Sequence, residues 1–486
     1  MSTASPTGPA PAWHHWRLLQ DSEIQRIHDI ALGFLKRVGY RIPHRPILER
    51  LEAKGCQVDH PSSTVRLPDD AARRLESCAR RNARPPAHEP LLRRPLPRTV
   101  GVGHNYTCYY DLTEGRRRPA TLDDVRRVVK AWHMMPQITH TGPCMTAQDV
   151  PTRIEPIVSY AEVMKLTPKV GGAPEMMLAG QLPYLEELRA IQRGRAVRFH
   201  SSGCSVNRFS VDGRAADCLW AVHRRGGLRD WWVNSCPVAG VTAPVTLAGT
   251  VAVGVAETIG GWLAGWACGD EVTLGAIPLS GVVDMRSGSV LFSTPETIAI
   301  DSALHQFFRE VYGIDVGLCI GYTDAKVPGL QALNDKLLKS LAYGWFTDHV
   351  GGQTGTLAAG NIYSPTQQVL DLELNRQTAQ LARGIEVNEA LLAADLIEHL
   401  AADPNGVFLT EDHTQRHWRD QLWIPRLLDR AAGWDSPPGQ ADARVLRQAE
   451  QTWRDALASY TPPELDKQTV RAIDEVVRRA RAHLLG

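Results

Sequence analysis

Two patterns of hydrophobic positions alternate along the middle of this chain. Short apolar runs of four to eight residues, typical of buried strands, are separated by longer segments with apolar residues at helical spacing. The predicted strands are 137–140, 169–172, 196–200, 231–236, 271–278, 316–320 and 343–347. The predicted helices among them include 183–193, 215–223, 247–266, 295–312 and 328–341. Such alternation predicts a parallel sheet with helical connections.

The number of strands favours an α/β fold of one closed (β/α)8 TIM barrel. Seven strands are visible, an eighth is expected near residues 100–111, and roughly 250 residues suffice for such a barrel. No G-x-G-x-x-G follows the first strand and no G-x-x-x-x-G-K-[ST] is present, which argues against dinucleotide or P-loop chemistry. We therefore predict a helical extension and linker over 1–98, the barrel over 99–400 and a helical flank over 401–486.

Composition and charge exclude several functional classes. The net charge is +1, so no strong field attracts nucleic acid or a membrane surface. The nine cysteines show no C-x-x-C spacing, and Met1 to His15 has no apolar core, so we expect reduced thiols in a cytoplasmic protein. Residues 231–256 are uncharged and long enough to span a bilayer, but Pro237 and Pro244 interrupt them. A buried strand and a buried helix are the preferred interpretation.

Candidate chemistry concentrates where the apolar run 316–320 ends. The stretch 321–331 reads Gly-Tyr-Thr-Asp-Ala-Lys-Val-Pro-Gly-Leu-Gln, so an acid, a base and two hydroxyls lie between a predicted strand and a predicted helix. In α/β folds ligands bind at this edge of the sheet, because loops vary there while the strands hold them rigidly.

This stretch and several others resemble the trimethylamine methyltransferase family of corrinoid-dependent methyltransferases. The family pattern G-x-x-x-P-V-T-L-A-G, followed by a Glu, is similar to Gly240-Val-Thr-Ala-Pro-Val-Thr-Leu-Ala-Gly249 and Glu257. The resemblance extends nearly from end to end of the chain. Its other segments are Gly55-Cys-Gln-Val-Asp59, Asp284-Met-Arg286, Pro295-Glu296, Phe408-Leu409, His413-Thr414, Pro425 and Asp429-Arg430.

The resemblance implies a barrel that moves a methyl group from a methylated amine to the Co(I) of a corrinoid. The chain has no D-x-H-x-x-G corrinoid motif, and its nearest approach is at 348–351, so the cofactor is expected on a separate corrinoid-binding protein. All residues are standard ones, which places the chain in the branch without pyrrolysine, whose members use quaternary amines such as glycine betaine. Two positions depart from the pattern: Gly329 replaces an acid and Ala243 replaces a glycine.

A quaternary amine needs no proton donor, because the tertiary amine that leaves is neutral. The protein must bind a cation and exclude water, and aromatic faces attract such a cation. Most aromatic side chains in a barrel nevertheless pack in its core. The candidate aromatic contacts near strand ends are Tyr106, Trp231, Trp232, Tyr322, Trp345 and Phe346.

Charged residues supply the remaining catalytic and substrate-binding candidates. Asp324 is proposed to balance the cation and Lys326 to hold a substrate carboxylate, although a solvated salt bridge is the alternative. Glu257 interrupts an apolar helix, so it either orients a group of the site or pairs with a backbone amide or arginine. Thr323 belongs to the same loop. Gln331 would start the next helix and face the mouth of the barrel, and capping or solvent contact is an equal alternative for it.

Two further segments follow predicted strands and are candidates for substrate and corrinoid contacts. His200 and His349 are assigned to the substrate. Small residues beside them permit close approach of a large flat cofactor. The cofactor candidates are Ser201, Ser202, Gly351 and Gly352.

A direct metal site is the less favoured interpretation. His200, Cys204, Cys236 and Cys319 could together bind zinc, which activates thiols in other methyl-transferring barrels, but no ligand-spaced motif is present. Two alternatives to the amine hypothesis remain open: a barrel enzyme that uses a thioether methyl donor, with or without zinc, and an inactive ligand-binding homologue. We expect no metal, a small methylated amine as substrate and a homo-oligomeric protein.

Overall fold

A computed structural model gives the architecture of the chain. It describes residues 16–83, 100–101, 106–171, 176–193, 201–205, 209–314, 316–347, 352, 354–382, 385–428 and 440–486. The helices are α1 Asp21–Arg37, α2 Arg45–Ala53, α3 Asp69–Arg81, α4 Leu122–Met134, α5 Glu155–Leu166, α6 Leu182–Arg193, α7 Gly213–Arg224, α8 Leu247–Cys268, α9 Pro295–Tyr312, α10 Leu330–Thr347, α11 Pro365–Ala382, α12 Glu389–Leu392, α13 Ala394–Ala401, α14 Asp412–Gln421, α15 Gln440–Ala458 and α16 Lys467–Leu485.

The strands are short and form small sheets. They are β1 Tyr40–Arg41, β2 Gln57–Asp59, β3 Thr64–Arg66, β4 Val100–Gly101, β5 Cys108–Asp111, β6 Arg116–Pro119, β7 His140–Thr141, β8 Ser201–Cys204, β9 Asp230–Asn234, β10 Val238–Ala239, β11 Thr273–Ala276, β12 Gly281–Val283, β13 Val290–Leu291, β14 Thr356–Leu357 and β15 Ile362–Tyr363. The predicted α/β class is confirmed. Within the described residues the strands form separate sheets, and a closed barrel is not seen.

The chain divides into two compact units. Unit 1 consists of Met1–Leu91, Arg198–Cys319 and Leu341–His349, and unit 2 consists of Leu92–Val197, Ile320–Ser340 and Val350–Gly486. Each unit has its own hydrophobic core. The two units alternate along the sequence, and the three predicted domains remain a prediction.

Unit 1 is built around a parallel sheet and one long buried helix. The strand order is β11-β9-β8, and Val316 adds a parallel bridge to Ala276 of β11. Helix α8 begins where predicted, and nearly all of it is buried under α1, α2 and the sheet. This helix is long and apolar enough to cross a membrane, but 83% of its most apolar window is buried, which is the environment of a core helix.

Unit 2 combines a mixed sheet with packed helices. Strands β14, β15, β5 and β6 form one sheet, and β4 pairs in parallel with β7, which also bridges Val170. Helix α4 begins at a capping box made by Thr121 and Asp124, which satisfies amides that the first turn leaves unpaired. Helices α15 and α16, in the segment predicted to be helical, pack on α4, α5, α6 and α11.

The predicted strand at residues 343–347 is wrong. These residues form the last turns of α10, which runs six residues beyond the predicted helix end at 341. Buried positions at Lys336, Lys339, Ser340, Tyr343 and Thr347 recur every three or four residues, which is the period of a helix and not of a strand. The apolar aromatic run resembled a strand only because it was read apart from the helix that precedes it.

Candidate functional site

The carboxyl end of the parallel sheet in unit 1 presents two different faces. Trp231, Val233 and Ser235 are buried against the helices, whereas Trp232 and Asn234 between them are half-buried. The backbone pairing continues past β9, because the Leu279 amide donates to the Ser235 carbonyl. The alternation therefore extends beyond Asn234 and assigns Cys236 to the same side as Trp232 and Asn234.

The pairing of β8 with β9 places two residues of β8 on the same side of the sheet as Trp232 and Asn234. Ser202 of β8 pairs with Trp232, and Cys204 pairs with Asn234. Both β8 side chains are exposed, and the Asn234 side-chain amide lies 3.7 Å from the Cys204 sulfur. We call the five residues Ser202, Cys204, Trp232, Asn234 and Cys236 the open sheet face. It carries an indole, hydroxyl, amide and thiol groups, and no carboxylate or amine.

The position of the Trp232 indole on this face is fixed by a glycine on the neighbouring strand. Gly275 is its partner on β11, and a Cβ at Gly275 would lie 2.4 Å from the Trp232 ring. A side chain at position 275 would therefore displace the indole. Trp231, by contrast, is fully buried and donates its indole N–H to the Gly261 carbonyl at 2.9 Å. Of the two adjacent tryptophans, only Trp232 has a partly open ring.

Glu257 is a buried carboxyl group hydrogen-bonded to the backbone of Cys236, a residue of the open sheet face. It lies on α8, is 1% exposed, and accepts hydrogen bonds from the backbone amides of Phe209 and Cys236. Its Oε2 atom has no hydrogen-bond partner in the described structure. Burial raises the pKa of this carboxyl to about 8, and the two amides only partly offset that effect.

The backbone beside Glu257 is strained. Phe209, which donates one of the two amides, has a φ of 55°, a left-handed conformation that costs a bulky residue free energy. Strain of this kind persists where the surroundings fix the chain, and it concentrates at functional sites. The hydroxyl of Tyr40 donates to Ser205 at 3.1 Å on the same side of the unit, and burial raises the pKa of Tyr40.

Three cysteines lie at the carboxyl ends of strands of this sheet, on β8, β9 and the strand at Val316, with β11 between the last two. Cys204 ends β8, Cys236 follows β9, and Cys319 follows the bridge at Val316. Burial, together with the nearby Cys204 and Cys319 thiols, raises the pKa of Cys236 well above its ordinary value, so this thiol is neutral. Among the residues that the structure describes, no three His, Cys, Asp or Glu side chains are grouped as metal ligands. His200 lies outside those residues.

The loop at 321–329 in unit 2 is held by a carboxylate of α10. The Thr323 hydroxyl donates to Asp335 Oδ2 at 2.7 Å, and the Asp324 amide donates to the same oxygen at 3.3 Å. Asp324 is buried, whereas Lys326 is exposed and Tyr322 is half-buried against Gly360. The acid and the base of this loop therefore have different surroundings.

A buried ion pair fixes the end of the same loop. Lys336 and Asp371 are both fully buried, with the ammonium 2.5 Å from Asp371 Oδ2. The Gln367 side chain donates to the other oxygen of Asp371 and accepts the Gly329 amide at 3.3 Å. Gly329 has a φ of 133°, which favours glycine and gives a backbone reason why this chain lacks the family's acid there.

The other predicted site residues are dispersed. Tyr106 is buried in unit 2 and shares a 2.6 Å hydrogen bond with Thr356. Gln331 is exposed on the first turn of α10, and Gly352 is exposed with a φ of 83°. Ser201 belongs to β8. His349 and Gly351 lie outside the described residues.

Trp345 and Phe346 do not end a strand. They lie in the last turns of α10, where Trp16 stacks on Trp345 at 5.5 Å and meets Phe346 at 6.1 Å. Trp345 remains 52% exposed. Their predicted place at the mouth of a barrel rested on the strand that the structure replaces with helix.

Sequence reasoning missed most of the residues that support both regions. Asn234 was not singled out, and Cys236 was considered only as a zinc ligand. Both follow Trp232 at strand spacing, and that alternation could have identified the open sheet face. Asp335, Gln367 and Asp371 gave no such signal, because polar residues in a helical pattern are expected to be exposed.

Comparison with known proteins identifies a family and several relatives. The model of the trimethylamine methyltransferase family matches residues 8–484. A glycine betaine methyltransferase from Desulfitobacterium hafniense (strain Y51) is 25% identical over 475 residues, covering 93% of this chain and 95% of that protein. A trimethylamine methyltransferase, MttB, from D. hafniense (strain DSM 10664 / DCB-2) is 23% identical over 94% of this chain and 92% of its own length. A proline betaine:corrinoid methyltransferase from Eubacterium limosum is 28% identical over 48% of each chain.

Proposed function

The chain belongs to the trimethylamine methyltransferase family, and we propose that it moves a methyl group from a quaternary or similar methylated amine to the Co(I) of a corrinoid carried on a separate protein. Relatives named for glycine betaine and proline betaine support a quaternary donor. Such a donor carries a permanent positive charge on a nitrogen that has no lone pair. A site for it needs a counter-charge and a surface that holds methyl groups without binding water strongly.

The observation that carries this proposal is the carboxylate of Glu257. It is buried, one of its oxygens has no hydrogen-bond partner within the described structure, and it adjoins the open sheet face through the Cys236 amide. A buried carboxylate without a cation costs several kcal/mol of free energy, so the group stays protonated until a cation arrives. A quaternary ammonium would supply that charge and stabilise the ionised form.

The open sheet face suits the rest of such a substrate. The Trp232 ring offers an aromatic surface to methyl groups that carry positive charge, a contact worth about 0.5–2 kcal/mol. Thiols such as those of Cys204 and Cys236 bind water weakly. In this proposal these side chains bind and orient the substrate, and the tertiary amine leaves without a proton because its nitrogen regains a lone pair.

The corrinoid, when its carrier is docked, supplies the Co(I) nucleophile that accepts the methyl group. Gly352 of unit 2 stays a candidate for contact with the corrinoid, and its backbone is exposed. A large flat ring needs exposed backbone of this kind. Asp324 and Lys326 remain candidates for substrate contacts in unit 2.

We also retain the closed (β/α)8 barrel and the three predicted domains as part of the proposal. In unit 1 the parallel strands β8, β9 and β11 and the bridge at Val316 are neighbours in chain order. In unit 2, β4, β7 and Val170 follow the same rule. Sequential parallel pairing with helices between strands is how such barrels are built.

Purified protein mixed with free cob(I)alamin and one of glycine betaine, carnitine or choline tests the function. Methylcobalamin formation, followed by absorbance, is expected with at least one donor and not with Glu257→Gln. Calorimetry with the same amines separates binding from turnover. Tight binding without transfer, even with a corrinoid carrier protein, would favour an inactive homologue. The absence of both binding and transfer would contradict the proposal.

A further inference from the structure

One segment of unit 2 holds a disproportionate share of the exposed hydrophobic side chains in the described structure. Between residues 385 and 428, which we call the arm, only Leu400 and Leu427 are buried. Ten of the 24 large hydrophobic side chains that are exposed in the described structure belong to these residues. They are Ile385, Val387, Leu392, Ile397, Val407, Phe408, Leu409, Leu422, Ile424 and Leu428.

The arm is attached to unit 2 at its base. From α11, Arg376 donates to the Ile424 carbonyl at 3.1 Å, and Gln380 donates to the Gln421 carbonyl at 2.8 Å. The Arg426 amide donates to the Glu373 carboxylate at 2.7 Å. These bonds hold residues 421–426 in place, so the arm is presented from a fixed base.

Beyond its base, side chains of the arm bond to its own backbone. The His413 ring bonds the Ala390 carbonyl at 3.2 Å, and the Thr414 hydroxyl donates to the Phe408 carbonyl at 2.5 Å. Leu409 is 75% exposed and Ile385 is 93% exposed. A concentration of exposed apolar side chains in one segment marks an interaction site, because water contact with them is unfavourable.

Charge on the arm is divided between its two parts. Residues 385–412 contain Glu386, Glu389, Asp395, Glu398, Asp403, Glu411 and Asp412 and no lysine or arginine. Residues 413–428 contain Arg416, Arg419 and Arg426 against the single acid Asp420. The arm therefore carries an acidic half and a basic half along one segment.

We propose that the arm is a dimerisation surface on which a second copy of this chain docks by two-fold symmetry, with the acidic half of each arm against the basic half of the other. A two-fold interface requires a surface that is complementary to itself, and opposite charges in two halves of one segment provide that complementarity. An anionic lipid surface would be repelled by the acidic half. The proposal does not depend on methyl transfer.

The mass of the full-length protein in solution gives the first test. Light scattering during size-exclusion chromatography is expected to give twice the chain mass of 53.6 kDa, or an even multiple of it. The double variant Leu409→Asp/Leu422→Asp should halve the measured mass. The matched variant Val38→Asp/Met285→Asp places two aspartates at exposed apolar positions of unit 1 and should leave the mass unchanged.

Charge reversal tests the orientation of the two arms. Arg416→Glu/Arg419→Glu, and separately Glu386→Lys/Glu389→Lys/Asp395→Lys, should each raise the dimer dissociation constant at least tenfold in sedimentation velocity. An equimolar mixture of the two variants should regain the dimer. The first variant then has an acidic arm and the second a basic arm, so opposite charges face each other in a dimer of one copy of each. A monomeric wild type, a dimer that survives Leu409→Asp/Leu422→Asp, or a mixture that stays dissociated would overturn the proposal.

Discussion

Glu257 in unit 1 and Asp371 in unit 2 are both buried carboxylates, and the protein treats them in opposite ways. Asp371 has a lysine at 2.5 Å and hydrogen bonds from Gln367 and the Gly355 amide. Glu257 has two backbone amides and an oxygen without a partner in the described structure. A buried carboxylate with all its hydrogen bonds made stabilises a fold, whereas one with an unpaired oxygen is a candidate for binding a ligand.

Removing the lysine from the Lys336–Asp371 ion pair is expected to change the free energy of unfolding more than any other substitution proposed below. Lys336→Met leaves the Asp371 charge buried without compensation, and such a loss costs about 3–5 kcal/mol of unfolding free energy. Urea unfolding measures it. Lys326→Met, at an exposed position of the neighbouring loop, should change stability by less than about 0.5 kcal/mol. A small effect of Lys336→Met would mean that the pair does not stabilise unit 2.

The buried carboxyl group of Glu257 should make the free energy of unfolding depend on pH. The pKa of Glu257 is about 8 in the folded chain, against about 4.3 for an ordinary glutamate. Between these values the folded state holds a proton that the unfolded state has released, so the stability contributed by this group falls as pH rises to about 8. The slope is about 1.4 kcal/mol per pH unit.

Glu257→Gln removes that slope because glutamine does not titrate. The difference in unfolding free energy between variant and wild type should therefore shift in favour of the variant between pH 5 and pH 8, by a few kcal/mol. Urea unfolding at the two pH values measures the shift. A constant difference across this range would show that Glu257 is already ionised at neutral pH.

A cation that binds Glu257 must displace its proton, which gives the third prediction. The affinity for glycine betaine should rise with pH by up to tenfold per unit and level off above about 8, where the carboxyl is ionised without help. Calorimetry at pH 6, 7 and 8 measures it, and proton release should accompany binding at the lower values. The neutral isostere with a tert-butyl group in place of trimethylammonium serves as the control, and an equal pH dependence for both would contradict the counter-charge role.

Much of the fold was predictable because its signals are local. The period of apolar residues located α8 and α9, and the strands around Trp231 and Leu274 were found from short apolar runs. The error at residues 343–347 arose where a helix ends in aromatic residues that also suit a strand. Pairing across sheets and the closure of a barrel depend on contacts distant in sequence, which no local pattern encodes.

The candidate site was predictable only in part. Glu257 was identified because one acid in an uncharged helix must have a reason to be buried. Asp335 and Asp371 were missed because their burial depends on what packs around α10 and α11. The two tryptophans of β9 show the same limit: the sequence makes them equivalent, and only the sheet decides which face each one takes.

The smallest predicted effect separates those two tryptophans. Trp232→Leu should weaken glycine betaine binding by about 0.5–2 kcal/mol, because leucine fills similar space without an aromatic face for the cation. Calorimetry at pH 8 measures this loss apart from the proton linkage of Glu257. Trp345→Leu removes an exposed aromatic ring from the end of α10 and should leave binding unchanged. If both variants bind as the wild type does, the open sheet face does not hold the ammonium, and the counter-charge at Glu257 would have to act on a cation seated elsewhere.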